Sequence, residues 1–169
     1  MGSVRMGEIE VSKRTGEELV ARGLGSCIGL ALIDRSSGVA GMAHVVLPES
    51  NGSEKEPGKF ADLAVPALVA QMQKAGAVTR RLEAVLAGGA RMFELGEMDI
   101  GARNAAAVKS GLTRAGLRIR AADTGGSRGR TMRLTVGDFE VTVKEAGGEP
   151  VTLYDGGPSA RRAAQAVRA

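Results

Sequence analysis

A chain of 169 residues, 43% of them apolar, has the size of one compact domain and can fill a core without disulfides or metal. Its single cysteine excludes an internal disulfide and a multi-cysteine zinc site, and its single histidine adds too few ligands for a structural metal. A formal charge of +4 favours acidic partners, yet aromatic residues, at 2%, leave few stacking platforms for single-stranded nucleic acid.

No stretch reaches the roughly 18 apolar residues of a membrane span, and no charged-then-apolar leader opens the chain. The expectation is a cytoplasmic protein with no membrane insertion. Residues 8–12 alternate polar and apolar, the period of a strand, and 18–21 form a second, shorter candidate. Gly23-Leu24-Gly25-Ser26 then breaks the pattern with two glycines. The apolar run 27–33 predicts a buried strand, 34–38 a turn, and 39–47 a further apolar strand stopped by Pro48. Residues 49–59 are polar, with Gly52, Pro57 and Gly58, and predict an exposed loop.

Leu63, Ala67, Leu68, Val69 and Met72 have the spacing of an amphipathic helix over 60–74, with Pro66 near its first turn or kinking it. A strand over 82–86 ends in Gly88-Gly89. A second helix over 104–115 places Ala105, Val108 and Leu112 on one face and stops at Gly116. Another strand follows over 117–122, then a glycine-rich connection over 124–130. That connection lacks the Gly-Lys-Ser/Thr ending of a phosphate-binding loop and reads as a turn. Residues 131–136 and 139–143 flank Gly137-Asp138 as a hairpin. Beyond Gly147 clear periodicity is lost, and 159–169 is a basic, Ala-rich tail, frayed or disordered. The order of elements predicts an α/β (α+β) fold: a single compact domain with a mixed sheet core and flanking helices.

Chemistry concentrates in Cys27 and His44. If Ser36 and Ser37 form the turn between the two central strands, paired residue numbers sum to 73 and His44 lies opposite Gly29. Cys27, two residues from Gly29, then shares the histidine's face, because side chains alternate along a strand. The diagonal separation is about 7–8 Å between Cα atoms, within reach of a Cys–His contact, whereas a one-residue slip would part them. An imidazole that takes the thiol proton makes a nucleophile for an amide or ester carbonyl, and can then protonate the leaving group. Backbone N–H groups at Gly25, Ser26 and Cys27 are candidates for the developing oxyanion. The plainer reading makes Cys27 a small buried hydrophobe and His44 a satisfied core residue.

Several segments carry a resemblance. Leu24-Gly25-Ser26-Cys27, Gly41-Met42-Ala43-His44 and Leu47-Pro48 come first. Lys59-Phe60-Ala61-Asp62, Ala64-Val65-Pro66, Gly88-Gly89-Ala90-Arg91-Met92 and Gly101-Ala102-Arg103-Asn104 follow, then 123–130. In this order they resemble the chemoreceptor glutamine deamidase family CheD, over about residues 8–148. The resemblance implies the compact fold of deamidating-toxin cysteine hydrolases, a CheD-like domain over 1–148, and a tail over 149–169. It implies Cys27 as nucleophile, His44 as general base, no cofactor and no metal. Family members often carry Thr at the position held here by Ala21, so the Ala21 backbone carbonyl is the expected partner of the imidazole. Expected partners are the cytoplasmic helical domains of chemoreceptors and the phosphatase CheC, with no nucleic acid. Arg128, Arg130 and Arg133 are the candidate receptor contacts. An adaptor that binds receptors or CheC with little turnover is the alternative.

Overall fold

A computed structural model describes residues 2–51, 55–92 and 99–157. Two sheets and a helical layer stack on one another. The first sheet holds β1 (Gly2–Ser3), β3 (Glu18–Leu24), β8 (Arg130–Thr135), β9 (Glu140–Glu145) and β10 (Val151–Asp155), in that spatial order. The second runs β2 (Ile9–Ser12), β5 (Val39–Val45), β4 (Ile28–Asp34), β6 (Glu83–Gly88) and β7 (Arg118–Thr124). Each is mixed: β1 lies parallel to β3 and β6 parallel to β7, while the remaining pairs are antiparallel. The predicted single mixed sheet is thus two, and the α+β class stands.

β4 and β5 are buried on both faces, which is why they read as near-continuous apolar runs. Leu30, Leu32, Val39, Ala43 and Val45 pack under α1 (Ala61–Lys74) and α2 (Ile100–Arg114). Ala31, Ile33, Ala40 and Met42 point the other way, into the space between the sheets, where Leu19, Ala21, Leu24, Met132 and Phe139 meet them. No helix among the described residues is long and apolar enough to cross a membrane.

Several boundaries differ from expectation. The buried face of α1 is Ala61, Ala64, Val65, Leu68 and Met72, rotated from the predicted stripe, and Pro66 sits inside the helix on its exposed side. α2 begins four residues before Asn104, because the Asp99 side chain accepts from the Ala102 N–H and caps its first turn. β10 was not anticipated: it pairs with β9 across a register shift, and its Tyr154 hydroxyl reaches the buried Glu83 carboxylate at 3.1 Å. The basic stretch 159–169 lies outside the described residues.

Candidate active site

The ladder between β4 and β5 pairs Gly29 with His44 and Ile28 with Val45, the register in which residue numbers sum to 73. His44 therefore shares the inter-sheet face with Cys27, which belongs to the core cluster between the sheets. Between them Gly29 carries no side chain, and Met132 and Leu24 fill the space over it. A Cβ there would stand 2.8 Å from Met132 Sδ and 3.0 Å from a Leu24 methyl, because β3 and β8 press down at this point.

Cys27 lies one residue before β4, in a turn whose carbonyls are all engaged. Gly25 O accepts from the Ala90 N–H at 2.8 Å, Ser26 O from Asn104 Nδ2 at 2.8 Å, and Cys27 O from the Gly89 N–H at 2.9 Å. The end of β6 is thereby clamped onto the Cys27 turn. Gly88 has φ +115°, and a Cβ on it would fall 2.1 Å from Cys27 O. Only glycine tolerates both that conformation and that approach. With the carbonyls turned towards β6 and α2, the Ser26 and Cys27 N–H groups donate to no backbone carbonyl among the described residues. Gly25 is different: its N–H already donates to Gly23 O at 3.0 Å, which removes it from the expected oxyanion set. Its lack of a side chain instead admits Met92, 3.1 Å from where a Cβ would be. Ser26, Ala90, Arg91, Met92, Asp99 and Gly101 line a cavity of about 120 Å³ beside the turn.

His44 is 1% exposed and is held by the N-terminal segment. Its ring Nδ1 lies 2.9 Å from Val4 O. A carbonyl only accepts, so Nδ1 carries the proton and the neutral ring keeps its lone pair on Nε2. Nε2 has no hydrogen-bond partner among the described residues. The His44 backbone is bracketed too, its N–H donating to Glu8 O and its carbonyl accepting from the Gly7 N–H. The orienting carbonyl is thus Val4, and the expectation for Ala21 is corrected. Ala21 pairs with Met132 within the first sheet, and neither ring nitrogen bonds to it. Val4 reaches the ring because β1 runs beside β3 and continues through a Val4 N–H to Val20 O bond.

Burial pushes the Cys27 thiol up and the His44 imidazole down, the latter opposed in part by the Val4 hydrogen bond and the Glu8 charge. Both shifts favour a neutral thiol and a neutral imidazole over a preformed ion pair. A neutral imidazole with a bare Nε2 is able to accept a proton.

The three arginines separate. Arg130 is buried: Nη1 donates to Gly88 O at 3.3 Å and Nε to Asp123 at 3.3 Å, so it braces the corner behind the Cys27 turn and presents no charge to a partner. Arg133 is half-buried and pairs with Glu18 at 3.3 Å, while Arg128 is exposed. Two contributors were missed in the sequence. Val4 acts through a backbone carbonyl, which has no sequence signature. Asn104 is wholly buried, and a polar residue in register with Gly101, Ala105, Val108 and Leu112 on one helix face was a readable signal.

Comparison with known proteins adds the remaining findings. A family model described as CheD chemotactic sensory transduction matches residues 46–145, starting two residues after His44. A protein named chemoreceptor glutamine deamidase CheD, from Thermotoga maritima, is 45% identical over 86% of the chain and 92% of its own length. The protein named "Probable chemoreceptor glutamine deamidase CheD" in Symbiobacterium thermophilum is 46% identical with the same coverage. The one so named in Methanococcus maripaludis strain C6 is 45% identical over 84% of the chain and 93% of its own length.

Proposed function

Because the chain belongs to the CheD family, we propose that it deamidates glutamine side chains of chemoreceptors, with Cys27 as nucleophile and His44 as base. The observation that carries the residue assignment is the tautomer of His44: the Val4 carbonyl holds the proton on Nδ1 and leaves Nε2 bare, on the strand face that Cys27 shares.

The chemistry balances with these groups alone. His44 Nε2 takes the Cys27 proton as the sulfur attacks the carboxamide carbon, forming the C–S bond. The Ser26 and Cys27 N–H groups receive the oxyanion. As the tetrahedral species collapses, the C–N bond breaks and His44 returns the proton to nitrogen, which leaves as ammonia. A water, deprotonated by His44, then attacks the thioester carbon. The C–S bond breaks, glutamate forms and the thiol is restored.

The adaptor alternative drew its support from Ala21, which lacks a hydroxyl to orient the ring. The Val4 carbonyl supplies an acceptor in that role and weakens that support. The cytoplasmic helical domains of receptors are the substrate in this reading. Exposed Arg128 offers positive charge to acidic helices, and CheC is a second partner to test.

Ammonia release from a purified receptor cytoplasmic fragment, matched to glutamate formed at mapped glutamines, tests the function. Wild-type protein should release ammonia, whereas Cys27→Ala and His44→Ala should each lose at least ~1000-fold in kcat. Full activity in Cys27→Ala would remove the nucleophile assignment.

A further inference from the structure

The β4–β5 ladder ends at Ile28 and Val45, one residue short of the nucleophile. The next hydrogen-bonded rung in that register would join Ser26 and Leu47, since Val46, like His44, turns its N–H away from β4. It does not form, because the Leu47 N–H goes to Lys59 O at 2.9 Å and the Leu47 carbonyl accepts from the Ala61 N–H at 2.9 Å. The two strands therefore part at the end where sulfur and imidazole must meet. Asn104, reaching in from the second turn of α2, spans the gap. One Nδ2 hydrogen goes to Ser26 O at 2.8 Å and the other to Val46 O at 2.9 Å. Ser26 precedes the nucleophile and Val46 lies two residues beyond the base. Both acceptors are carbonyls, so the amide orientation is unambiguous: the nitrogen must face them. The side chain is 0% exposed, and its Oδ1 has no partner among the described residues. A buried polar side chain with half of its capacity unused serves helix packing poorly, since an apolar residue there would leave no Oδ1 unpaired.

We infer that Asn104 is the positioning residue of the site, an amide staple that replaces the missing rung and sets the distance between Cys27 and His44. This rests on the Cys27–His44 reading above. Asp at 104 keeps the shape but turns a carboxylate oxygen towards each carbonyl, and Ser retains a single donor. Neither spans both strands.

The test measures kcat, KM and Cys27 alkylation in Asn104→Asp, Asn104→Ser and a control, Leu112→Ala, which removes a buried contact two turns along the same helix face. The chain has one cysteine, so iodoacetamide uptake against pH reports Cys27 alone. In folded protein, both Asn104 variants should lose about 10- to 100-fold in kcat, with KM within about twofold of wild type. Their alkylation profiles should move along the pH axis, while the profile and kcat of Leu112→Ala stay in place below its melting temperature. Asn104→Ser, with one donor left, should lose less than Asn104→Asp. A kcat within about twofold of wild type in either folded Asn104 variant would overturn the assignment. So would an equal loss in Leu112→Ala, or a failure of both Asn104 variants to fold, which would give Asn104 a folding role only. Undiminished deamidation by alkylated wild-type protein would instead overturn the Cys27 reading beneath it.

Discussion

His44 and Cys27 were readable as a pair because each occurs once and because a turn at Ser36-Ser37 fixes a register that the structure reproduces. Their protonation states were not readable, since these depend on burial and on a carbonyl forty residues away. A base whose proton affinity is lowered stays neutral into mildly acidic solution. The acid limb of kcat/KM should accordingly fall below the ordinary imidazole value of 6.5. An acid limb centred above that value would contradict the neutral pair. The thiol is shifted in the opposite direction, so alkylation of resting Cys27 should rise only at alkaline pH. Gly29 belongs to the same scale. Gly29→Ala must displace Met132 and Leu24 at 2.8 and 3.0 Å, and should lower stability by about 1–3 kcal/mol in chemical denaturation. Arg130 shows how sequence misleads: a basic cluster reads as surface, yet this guanidinium closes an interior corner because Asp123 and a glycine carbonyl meet it there.

Among the elements, β4, β5, β6 and the buried face of α2 could be read from pattern, because a doubly buried strand and a 3.6-residue stripe leave strong periodic signals. β1 could not. It is two residues long, pairs in parallel with β3, and has no pattern of its own. Its functional weight lies in the residues it delivers to the site: Val4 O on the imidazole, and the residue 7–8 backbone against His44. Deleting residues 1–5 should therefore lower kcat by about 10- to 100-fold with the remaining fold intact, because the ring loses its orienting acceptor. Steady-state kinetics alongside a thermal melt would show it, and an unchanged kcat would rule Val4 out as the orienting group.

For the molecule as a whole, three stacked layers place the site at one end of the inter-sheet space, where the end of β6 and α2 hold the Cys27 turn and the N-terminal segment holds His44. The last strand also belongs to this body, although residues beyond 147 lack a clear period. β10 covers the edge of β9, and Tyr154 and Arg35 close on Glu83. A chain ending at residue 148 should melt at least ~5 °C below one ending at 157, and equal melting temperatures would make β10 dispensable. The net charge of +4 bears on encounter with acidic receptor helices, so kcat/KM should fall as salt rises while kcat holds. The central claim is covalent: sulfur of Cys27 displaces ammonia from a glutamine side chain. Rapid acid quench of the enzyme with a receptor-derived glutamine peptide, followed by intact-mass and fragment mapping, tests it most directly. The account predicts an adduct equal to the peptide less one ammonia, located on Cys27, cleaved by hydroxylamine and absent from Cys27→Ala. Turnover of the same peptide by Cys27→Ala at the wild-type rate, with no adduct at any quench time, would contradict it.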